Sequence, residues 1–594
     1  MMVKQTTREG QDLGKGLDPL VAAEIENYER QAKAFELGDG GMGDDFRPFR
    51  LQHGIYGQRQ DDAQMVRVKV PHGTLNADQM DVLGTIAEEY TPRKVGHVTT
   101  RQCFQFHYVA LQDTPTLMRM LEEVNLTTRE ACGNTVRNVT ADPLSGACPD
   151  TVFDVTPHAE ATARFFLRHP VCQKLPRKFK IAFSACPHDH GLVPIHDLGA
   201  TAVIRDGKRG FRVTVGGGLG ASPHIAQLLE EFVPEDELQR VTEATIRVFD
   251  RLGERKNRNK ARIKFVVKKL GIEEFRRVVQ EELAGMPPAE PGQYKEPDWS
   301  FLEEDASHPS AASQSKNGHA PQQGFEAWKR TNALPQAQQG FSMVYVLLPI
   351  GDLTAKQFHQ LADLARKFSG GKLRTAVNQN MVLRWVHNED LPALHAELIE
   401  TGLAEAGALT ISDVMTCPGA DTCSLGVTSS KGAGTAIRES LAAANGHLKD
   451  DPLVEQIRIK ISGCPNSCGH HHIADIGFYG NAVRSGGRMV PAFSMLLAGK
   501  GDGPDARIGI HVMKVAAKRV PDVVGTLIDY YREHRNEGEP FGDWAIRAGK
   551  EEIKEALADY QEMPEYEKDP MAFVDWGGTK LFSLDEMGEG ECSV

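Results

Sequence analysis

The residues best suited to bind an inorganic centre are four cysteines in two short loops. They are spaced C-x5-C and C-x3-C, and both loops contain Gly and Pro, which form tight turns that bring the backbone close to a bound group. The four residues are Cys417, Cys423, Cys464 and Cys468. Disulfides, a structural zinc site and ordinary buried cysteines are the alternatives to an iron–sulfur cluster. Because the rest of the chain lacks a disulfide framework and zinc favours C-x2-C pairs, the pattern favours a cluster held by four thiolates.

The two motifs together, TCPGADTCSLG over 416–426 and KISGCPNSCGH over 460–470, resemble the sulfite and nitrite reductases that contain sirohaem and a [4Fe–4S] cluster. The resemblance spans roughly residues 50–560. It implies that all four cysteines bind the cluster and that Cys468 is also the axial ligand of the sirohaem iron, which couples the two centres through one sulfur. The spacing alone does not indicate that bridge.

The composition excludes several other classes of protein. A formal net charge of −13 is unfavourable for a general nucleic-acid binder. The sequence contains no run of eighteen apolar residues, so no membrane span is predicted. The first residues, MMVKQTTREGQDLG, lack the apolar segment of a signal peptide. Ten cysteines in 594 residues are typical of a reducing compartment, and we expect a cytoplasmic protein.

The first half of the chain contains a recognisable order of elements. Alternation around Val66–Val70 predicts a strand, and a helical pattern begins after Asn76. Alternation over 95–109 predicts a second strand. Near the N-terminus, Asp18 followed by Pro19 indicates the start of a helix that extends to residue 37.

The second half repeats this order at a nearly constant distance. Pro349 follows Pro71 by 278 residues, within the same arrangement of strand, Pro-x-Gly turn, helix and strand. The same distance separates SACPHDHG over 184–191 from SGCPNSCG over 462–469. The chain is therefore interpreted as an internal duplication. The first copy has Cys186, and His190 at the position of Cys468, so it lacks a counterpart of the four cysteines; we expect a cluster only in the second copy.

These patterns and the resemblance predict an α+β fold in which two ferredoxin-like half-modules pack together and two larger α/β lobes clasp the cofactors. The predicted regions are an N-terminal arm (1–49), the first half-module (50–122), a sirohaem- and substrate-binding lobe (123–285), a linker (286–335), the second half-module (336–402), a [4Fe–4S]- and sirohaem-binding lobe (403–565) and a C-terminal tail (566–594). The arm is expected to be peripheral.

An anionic cofactor and an anionic substrate require fixed cations, and the first copy provides them. The resemblance implies that four residues hold substrate oxygens on the distal side of the iron: Arg67, Arg137, Lys178 and Lys180. It implies that three others contact sirohaem and its surroundings: Arg101, Gln105 and His107. A single strand arginine is more often solvated, and a strand histidine is often structural, so these assignments depend on the whole set.

Three further segments are weaker candidates for cofactor binding. Gly216, Gly217 and Gly218 follow a strand and are expected to cradle an anion, although they lack the GxGxxG context of a dinucleotide fold. The basic run over 255–262, with Arg255 and Arg258, is either a solvated helix face or a surface for sirohaem carboxylates or an acidic donor. Asn378, Gln379 and Asn380 lie in the second copy where the first has Arg101 and Gln102, on a predicted strand, and are expected to form hydrogen bonds near the cofactor.

The resemblance implies a six-electron reduction, either of sulfite to sulfide or of nitrite to ammonia. Lys178 and Lys180, in the motif R-K-F-K, favour sulfite, because members that act on nitrite commonly have Asn at the second position. Tyr56 and Cys148 resemble a pair that is covalently joined near the sirohaem in some ferredoxin-dependent sulfite reductases. An unlinked pair is the alternative.

The electron donor is expected to be a separate protein, because the sequence shows no flavin or NAD(P)H motif and no additional ferredoxin-type run of cysteines. The resemblance favours ferredoxin, with a flavoprotein reductase as the second choice. A non-enzymatic iron–sulfur or zinc scaffold is the alternative of another class. The cations argue against it, since a scaffold has no need of fixed charges around an anion site.

Overall fold

A computed structural model describes residues 17–37, 43–302, 320–443 and 451–588 of the chain. Part of the predicted linker, over 303–319, and the end of the predicted tail, with Cys592, lie outside the described residues. Within them, no helix combines the length and apolar character needed to cross a bilayer.

Four groups of elements follow one another along the chain. The N-terminal region and first half-module contain α1 (Pro19–Glu36), α2 (Gly43–Gln52), β1 (Ile55–Gly57), β2 (Ala63–Val68), β3 (Thr74–Asn76), α3 (Ala77–Tyr90), β4 (Val95–Val98), β5 (Phe104–Ala110) and α4 (Thr114–Glu123). The first lobe contains β6 (Thr140–Ala141), α5 (Thr156–Phe166), β7 (Ile181–Ser184), β8 (Leu198–Arg205), β9 (Lys208–Val215), β10 (Gln227–Pro234), α6 (Leu238–Leu252), α7 (Ile263–Leu270) and α8 (Ile272–Gly285). The second half-module contains α9 (Phe325–Asn332), β11 (Ala333–Pro335), β12 (Phe341–Val346), β13 (Asp352–Thr354), α10 (Ala355–Phe368), β14 (Lys372–Thr375), β15 (Met381–His387) and α11 (Leu391–Thr401). The second lobe contains β16 (Met415–Thr416), α12 (Ser430–Ala443), α13 (Pro452–Glu455), β17 (Ile459–Ser462), β18 (Ile476–Ser485), β19 (Arg488–Leu497), β20 (Ile510–Ala516), α14 (Val520–His534) and α15 (Phe541–Ala556).

The two half-modules exchange a short edge strand. Their sheets have the orders β1-β2-β5-β4-β13 and β11-β12-β15-β14-β3, so each contains one strand from the other copy. Helices α3 and α10 begin with equivalent capping boxes, at Asn76 and Thr354. The exchange joins the copies into one unit with a shared core, which confirms the predicted duplicated α+β fold.

Residues 95–109, predicted as one strand, form two strands that make a hairpin. The polar residues 99–102 interrupt the alternation, and Gln102, between β4 and β5, has a left-handed backbone with φ at 60°. Gln379 has the same conformation between β14 and β15, with φ at 70°. Arg101 and Asn378 therefore lie in equivalent turns, and Asn378, Gln379 and Asn380 do not lie on a strand as expected.

The lobes are built on equivalent five-stranded sheets, β10-β9-β8-β7-β6 and β16-β17-β18-β19-β20. Parallel pairing places Ala182 beside Gly199 in the first and Lys460 beside Gly477 in the second, which is the same register 278 residues later. Each sheet packs against its own helices to form a separate core. Because parallel strands end at one edge, the loops that follow β6, β7, β16 and β17 are brought together within each lobe.

Three predicted peripheral segments contribute to these cores. In the predicted arm, α1 begins at Asp18 as expected, but its Tyr28 is fully buried, and the Tyr28 hydroxyl accepts a hydrogen bond from Thr114 at 3.1 Å. Helix α9 and strand β11 lie inside the predicted linker, and Trp328 is fully buried. In the predicted tail, Phe573 is buried and the Asp575 carboxylate accepts a hydrogen bond from Ser429 N at 2.7 Å. Apolar residues within the polar segments explain this packing.

Candidate active site

The four predicted cluster cysteines lie in the loops that follow β16 and β17. Cys417 and Cys464 are buried, Cys423 is half-buried and Cys468 is exposed. The pKa of the Cys464 thiol is raised by its burial and by the neighbouring Cys468, Cys417 and Cys423, so the four cysteines are neighbours in the structure. Cys468 is the exposed one of the four.

Close backbone contacts fix the shape of these loops. Gly463 N donates a hydrogen bond to Cys417 Sγ at 3.2 Å, and the Ser430 hydroxyl donates to Cys417 O at 2.7 Å. A Cβ atom on Gly469 would lie 2.0 Å from Ile461 O, so a side chain at this position would force the loop apart. The glycines of the motif are therefore required by packing as well as by the turns.

The half-modules support the cysteine loops directly. Gln379 is buried; its Nε2 donates to Val98 O at 2.9 Å and its Oε1 accepts from Thr416 N, next to Cys417, at 3.1 Å. Asn380 is also buried and donates to Asp413 Oδ2 at 2.7 Å. These two amides thus position the cluster loop through protein contacts.

Two further contacts near the cysteine loops are made by the half-buried residues Asn378 and Thr100. Asn378 Oδ1 accepts a hydrogen bond from Asn380 N at 3.4 Å. Thr100, which sequence reasoning missed, donates to Cys468 O at 2.9 Å. Thr100 therefore ties the turn that carries Arg101 to the outward-facing cysteine.

A group of cations from the first copy lies together. Burial, followed by the nearby Arg101, Arg262 and Lys178, lowers the pKa of Lys180 well below its usual value. Arg101 donates to Asn138 O, and its Nη1 is buried without a hydrogen-bond partner among the described residues. Burial lowers the pKa of Arg101 to about 10. The predicted Lys178, Lys180 and Arg101 are thus brought together, and Arg262 joins them.

Asp197 holds this group in place. Its carboxylate is fully buried and accepts two hydrogen bonds from Arg262, Nε at 2.8 Å and Nη2 at 2.7 Å, and a third from Lys180 N at 2.9 Å. Bidentate pairing of this kind fixes the orientation of the guanidinium. The pairing of Asp197 with Arg262 spans 65 residues, so no local pattern in the sequence indicates it.

Two histidines of the second lobe extend the group. Burial, followed by the nearby Lys460, Lys180 and Arg101, lowers the pKa of His470 well below its usual value, and its Nδ1 is buried without a hydrogen-bond partner among the described residues. His472 and Gly220 O are hydrogen-bonded at 3.0 Å, which joins the two lobes. His470 lies two residues after Cys468, so Lys180 and Arg101 of the first half lie near this cysteine loop. The adjacent run HHH was the available signal for this residue.

Two predicted arginines meet at one loop. Arg67 Nη1 and Arg137 Nη1 both donate to Ala131 O, at 3.3 and 2.9 Å. With its amide oxygen directed at Arg67, Gln105 accepts hydrogen bonds from Nε at 3.0 Å and Nη2 at 2.6 Å. Arg67, Arg137 and Gln105 thus form a second, fixed group of polar side chains.

The structure does not bring Tyr56 and Cys148 together. Tyr56 belongs to a small buried cluster with Cys132, and Arg67 Nη1 lies 3.3 Å from the Tyr56 hydroxyl and 3.9 Å from Cys132 Sγ. Cys148 lies in a different buried cluster, with Cys186. Tyr56 therefore lies beside Cys132 and not beside Cys148, the cysteine with which the sequence paired it.

Several other candidates have contacts that point to a structural role. His107 Nδ1 lies 3.2 Å from Gln58 Oε1, and burial, followed by Lys431, lowers its pKa well below the usual value. Arg255 is exposed and pairs with Asp250 at 2.7 Å. Arg258 is half-buried in the short turn over 258–260.

The glycine run is explained by close packing. A Cβ atom on Gly216 would lie 3.0 Å from Val267, and one on Gly217 would lie 2.4 Å from Pro194 O. A Cβ on Gly218 would lie 2.6 Å from Arg262 Nη2, so this glycine leaves room for the Arg262–Asp197 pair. The run therefore acts on the cation group through Arg262.

Comparison with known proteins agrees with this site. The family model described as the nitrite and sulphite reductase 4Fe-4S domain matches residues 132–286 and 407–564, and the nitrite/sulfite reductase ferredoxin-like half domain matches 56–124 and 334–401. A ferredoxin–nitrite reductase of Synechococcus elongatus is 31% identical, over 78% of this chain and 85% of that protein. A sulfite reductase [ferredoxin] 1 of Mycolicibacterium paratuberculosis is 30% identical, over 82% and 83%. The solved structure of the Mycobacterium tuberculosis NirA protein superposes with a TM-score of 0.73 at 27% identity, over 89% of this chain and 97% of that one.

Four neighbouring thiols beside a half-buried group of cations, on a duplicated fold, are features that an oxidoreductase with an iron–sulfur cluster would need. The matched models and relatives identify it further. The chain belongs to the nitrite and sulphite reductase family.

Proposed function

We propose that this protein reduces sulfite to sulfide with six electrons from reduced ferredoxin, at a sirohaem whose iron shares Cys468 with a [4Fe–4S] cluster. The observation that carries the proposal is the position of Lys180, half-buried among Lys178, Arg101 and Arg262 and near His470, which lies two residues after Cys468. The names of the relatives support ferredoxin as the donor.

The side chains present fit both cofactors. Cys417, Cys423, Cys464 and Cys468 match the four thiolates of a [4Fe–4S] cluster. Around them, buried polar atoms without a hydrogen-bond partner among the described residues include Arg101 Nη1, His470 Nδ1 and Ser467 Oγ. Buried polar atoms normally have partners, and the carboxylates of a sirohaem would supply acceptors for such donors.

The protein's own residues would bind the anion and deliver protons. When bound, the two cofactors supply the iron at which the anion binds and a one-electron path to it. Arg67 and Arg137, fixed by their shared contact with Ala131 O, would hold substrate oxygens. Lys178 and Lys180 would neutralise the charge of the anion and stabilise the transition state.

Proton delivery is the second part of the reaction. Conversion of sulfite to hydrosulfide takes up six electrons and seven protons and releases three waters. A lysine whose pKa is lowered by burial and neighbouring cations is a better acid at neutral pH. Lys180 is therefore the proposed donor of protons to the leaving oxygens.

Two lysines at the site favour sulfite over nitrite, because a dianion gains more from a second cation than a monoanion does. Replacing Lys180 with Asn should remove one charge-assisted hydrogen bond, worth about 1.5–3 kcal/mol. That energy corresponds to a decrease of about 10- to 150-fold in kcat/KM for sulfite. We expect a smaller decrease for nitrite, so the ratio of the two kcat/KM values should move toward nitrite.

The experiment is a paired steady-state assay with sulfite and then nitrite, using reduced ferredoxin and enzyme with the wild-type sirohaem absorbance. Lys174→Asn is the control, because Lys174 is exposed on the same lobe. Equal losses for both substrates in Lys180→Asn would remove the basis for a sulfite preference. A higher kcat/KM for nitrite in the wild-type enzyme would instead assign it as a nitrite reductase, the second candidate, which the ferredoxin–nitrite reductases among its relatives support. Colourless protein without iron would indicate the zinc scaffold.

A further inference from the structure

The first lobe contains a second set of four potential metal ligands, at positions equivalent to those of the cluster cysteines. The equivalent pairs are Asp142 and Cys417, Cys148 and Cys423, Cys186 and Cys464, and His190 and Cys468. The sequence analysis found only the last two pairs, because the first two are 275 residues apart and not 278. The first copy lacks a counterpart of the four cysteines, as expected, but other potential metal ligands stand at two of those positions.

Backbone hydrogen bonds establish the equivalence. Four backbone hydrogen bonds of the first lobe each have a counterpart in the second lobe. Asp142 N donates to Phe183 O as Cys417 N does to Ile461 O, and Cys148 N donates to Leu144 O as Cys423 N does to Gly419 O. Val152 N donates to Ala185 O as Val427 N does to Gly463 O, and Leu192 N donates to Asp189 O as His470 N does to Ser467 O. The two loops that hold the cluster in one lobe therefore have the same backbone pattern in the other.

Cys148, Cys186 and His190 converge as a group that could hold one ion, and Asp142 lies beside two of them. The ligand atoms of Cys148, Cys186 and His190 all lie within 4.8 Å of one another. Cys186 Sγ lies 3.6 Å from Asp142 Oδ2 and 3.5 Å from His190 Nδ1, and His190 Nδ1 lies 3.4 Å from Asp142 Oδ2. Tetrahedral Zn²⁺, with bonds of about 2.3 Å to sulfur and about 2.0 Å to nitrogen and oxygen, separates S and O by about 3.5 Å, S and N by about 3.5 Å, and N and O by about 3.3 Å.

The two contacts of Cys186 have the length of hydrogen bonds to sulfur, but the distance between His190 and Asp142 is longer than a direct charge-assisted hydrogen bond. A charge-assisted hydrogen bond between nitrogen and a carboxylate is about 2.7–2.9 Å long. His97 and Asp352 are 2.7 Å apart and His188 and Asp150 are 2.9 Å apart, whereas His190 and Asp142 are separated by 3.4 Å. The distance between His190 Nδ1 and Asp142 Oδ2 therefore matches the separation of two ligands of one ion.

The surroundings suit a structural metal. Asp142 is fully buried, Cys148 and Cys186 are buried, and the side chain of His190 is 30% exposed, which leaves one route for an ion to enter. Asp142 Oδ1 accepts a hydrogen bond from Leu144 N at 2.8 Å, which orients the carboxylate. Two thiolates, an imidazole and a carboxylate are preferred ligands of Zn²⁺.

We propose that Asp142, Cys148, Cys186 and His190 bind one Zn²⁺ ion. The ion would join the loops that follow β6 and β7, as the cluster cysteines join the loops that follow β16 and β17. Both lobes would then be closed at equivalent points, one by a redox centre and the other by a redox-inert ion. The proposal does not depend on which anion the enzyme reduces.

The test is the zinc content of the intact holoenzyme, purified from medium containing zinc and dialysed against EDTA. Elemental analysis should give about one zinc per chain, and X-ray absorption at the zinc edge should show about two sulfur and two nitrogen or oxygen ligands. Cys186→Ala should lower the zinc content at least about fivefold, and His190→Gln should do so while disturbing the buried core less. Cys172→Ala, which removes another fully buried cysteine, should leave it unchanged.

Three results would overturn the proposal. They are a wild-type enzyme with little zinc, a zinc content that Cys186→Ala and His190→Gln both leave intact, and a Cys148–Cys186 disulfide found by peptide mapping of the native enzyme. Sirohaem absorbance and circular dichroism of each variant show whether it has folded. If Cys186→Ala does not fold, His190→Gln decides the question, because its side chain lies at the edge of the group.

Discussion

Replacing Asp197 with Asn should destabilise the first lobe and shift the pH dependence of turnover. Asp197 is fully buried and is the counter-ion of Arg262, whose side chain is only 10% exposed. Asn preserves the size of the side chain but leaves that guanidinium buried without a negative partner. Removing one partner of a buried pair costs about 3–5 kcal/mol. For a domain of this size, that cost lowers the Tm by about 6–20 °C.

The effect on pH dependence follows from the charge on Lys180. The pKa of Lys180 is lowered by burial and by Arg101, Arg262 and Lys178, and the nearby Asp197 carboxylate opposes that change. Without the carboxylate, the pKa of Lys180 should fall further. Because protonated Lys180 is the proposed acid, activity is lost as the pH rises through its pKa. In Asp197→Asn, that loss should therefore occur at a lower pH than in the wild-type enzyme.

The assay is kcat/KM for sulfite as a function of pH, on variants with wild-type sirohaem absorbance, at a temperature below the lowered Tm. Lys180→Arg provides the control, because arginine keeps the charge and does not titrate in this range. In that background, Asp197→Asn should no longer move the alkaline limb. An alkaline limb that does not move in the single variant, or moves equally in both backgrounds, would refute the role given to Lys180.

Two other predictions concern the cysteine loops and the tyrosine. Gly469→Ala should prevent cluster assembly, because the added methyl group would lie 2.0 Å from Ile461 O; iron analysis should show loss of the cluster, and retention of all its iron would contradict the packing argument. If a tyrosine–cysteine link forms, the loss of two hydrogens in the mass should map to peptides that contain Tyr56 and Cys132. Cys148→Ser should leave that mass difference unchanged, and its disappearance would support the pairing inferred from the sequence.

The features that the sequence predicted well are local or periodic. The cysteine loops could be found because each pair lies within one short loop, where the turns are encoded by neighbouring Gly and Pro. The half-modules could be found because both copies retain strand alternation and a helix that begins after a polar cap, Asn76 or Thr354. The duplication was visible because insertions between equivalent elements are few.

The features that it missed depend on contacts between distant segments. The Asp197–Arg262 pair spans 65 residues, and His470 meets Lys180 only when the two lobes face each other. The turn between β4 and β5 was missed because the strand prediction ran through the polar residues 99–102, where the left-handed backbone of Gln102 reverses the chain. No periodic pattern in the sequence reports these interactions.

The two copies show how one backbone can support two kinds of chemistry. Gln102 and Gln379 occupy equivalent left-handed turns. The side-chain oxygen of Gln102 accepts a hydrogen bond from Ala141 N at 2.9 Å, and that of Gln379 accepts one from Thr416 N at 3.1 Å. Gln102 therefore positions the loop that follows β6, and Gln379 the loop that follows β16. The residue before each glutamine differs. In the first copy it is Arg101, which contributes to the cation group, and in the second copy it is Asn378, an uncharged amide. The carboxylate of Asp197 fixes the backbone of Lys180, and Asp475 fixes that of Arg458 in the same way, at 2.9 and 2.8 Å. Because these supports are equivalent, the difference in function between the lobes must arise from the side chains that the common backbone presents.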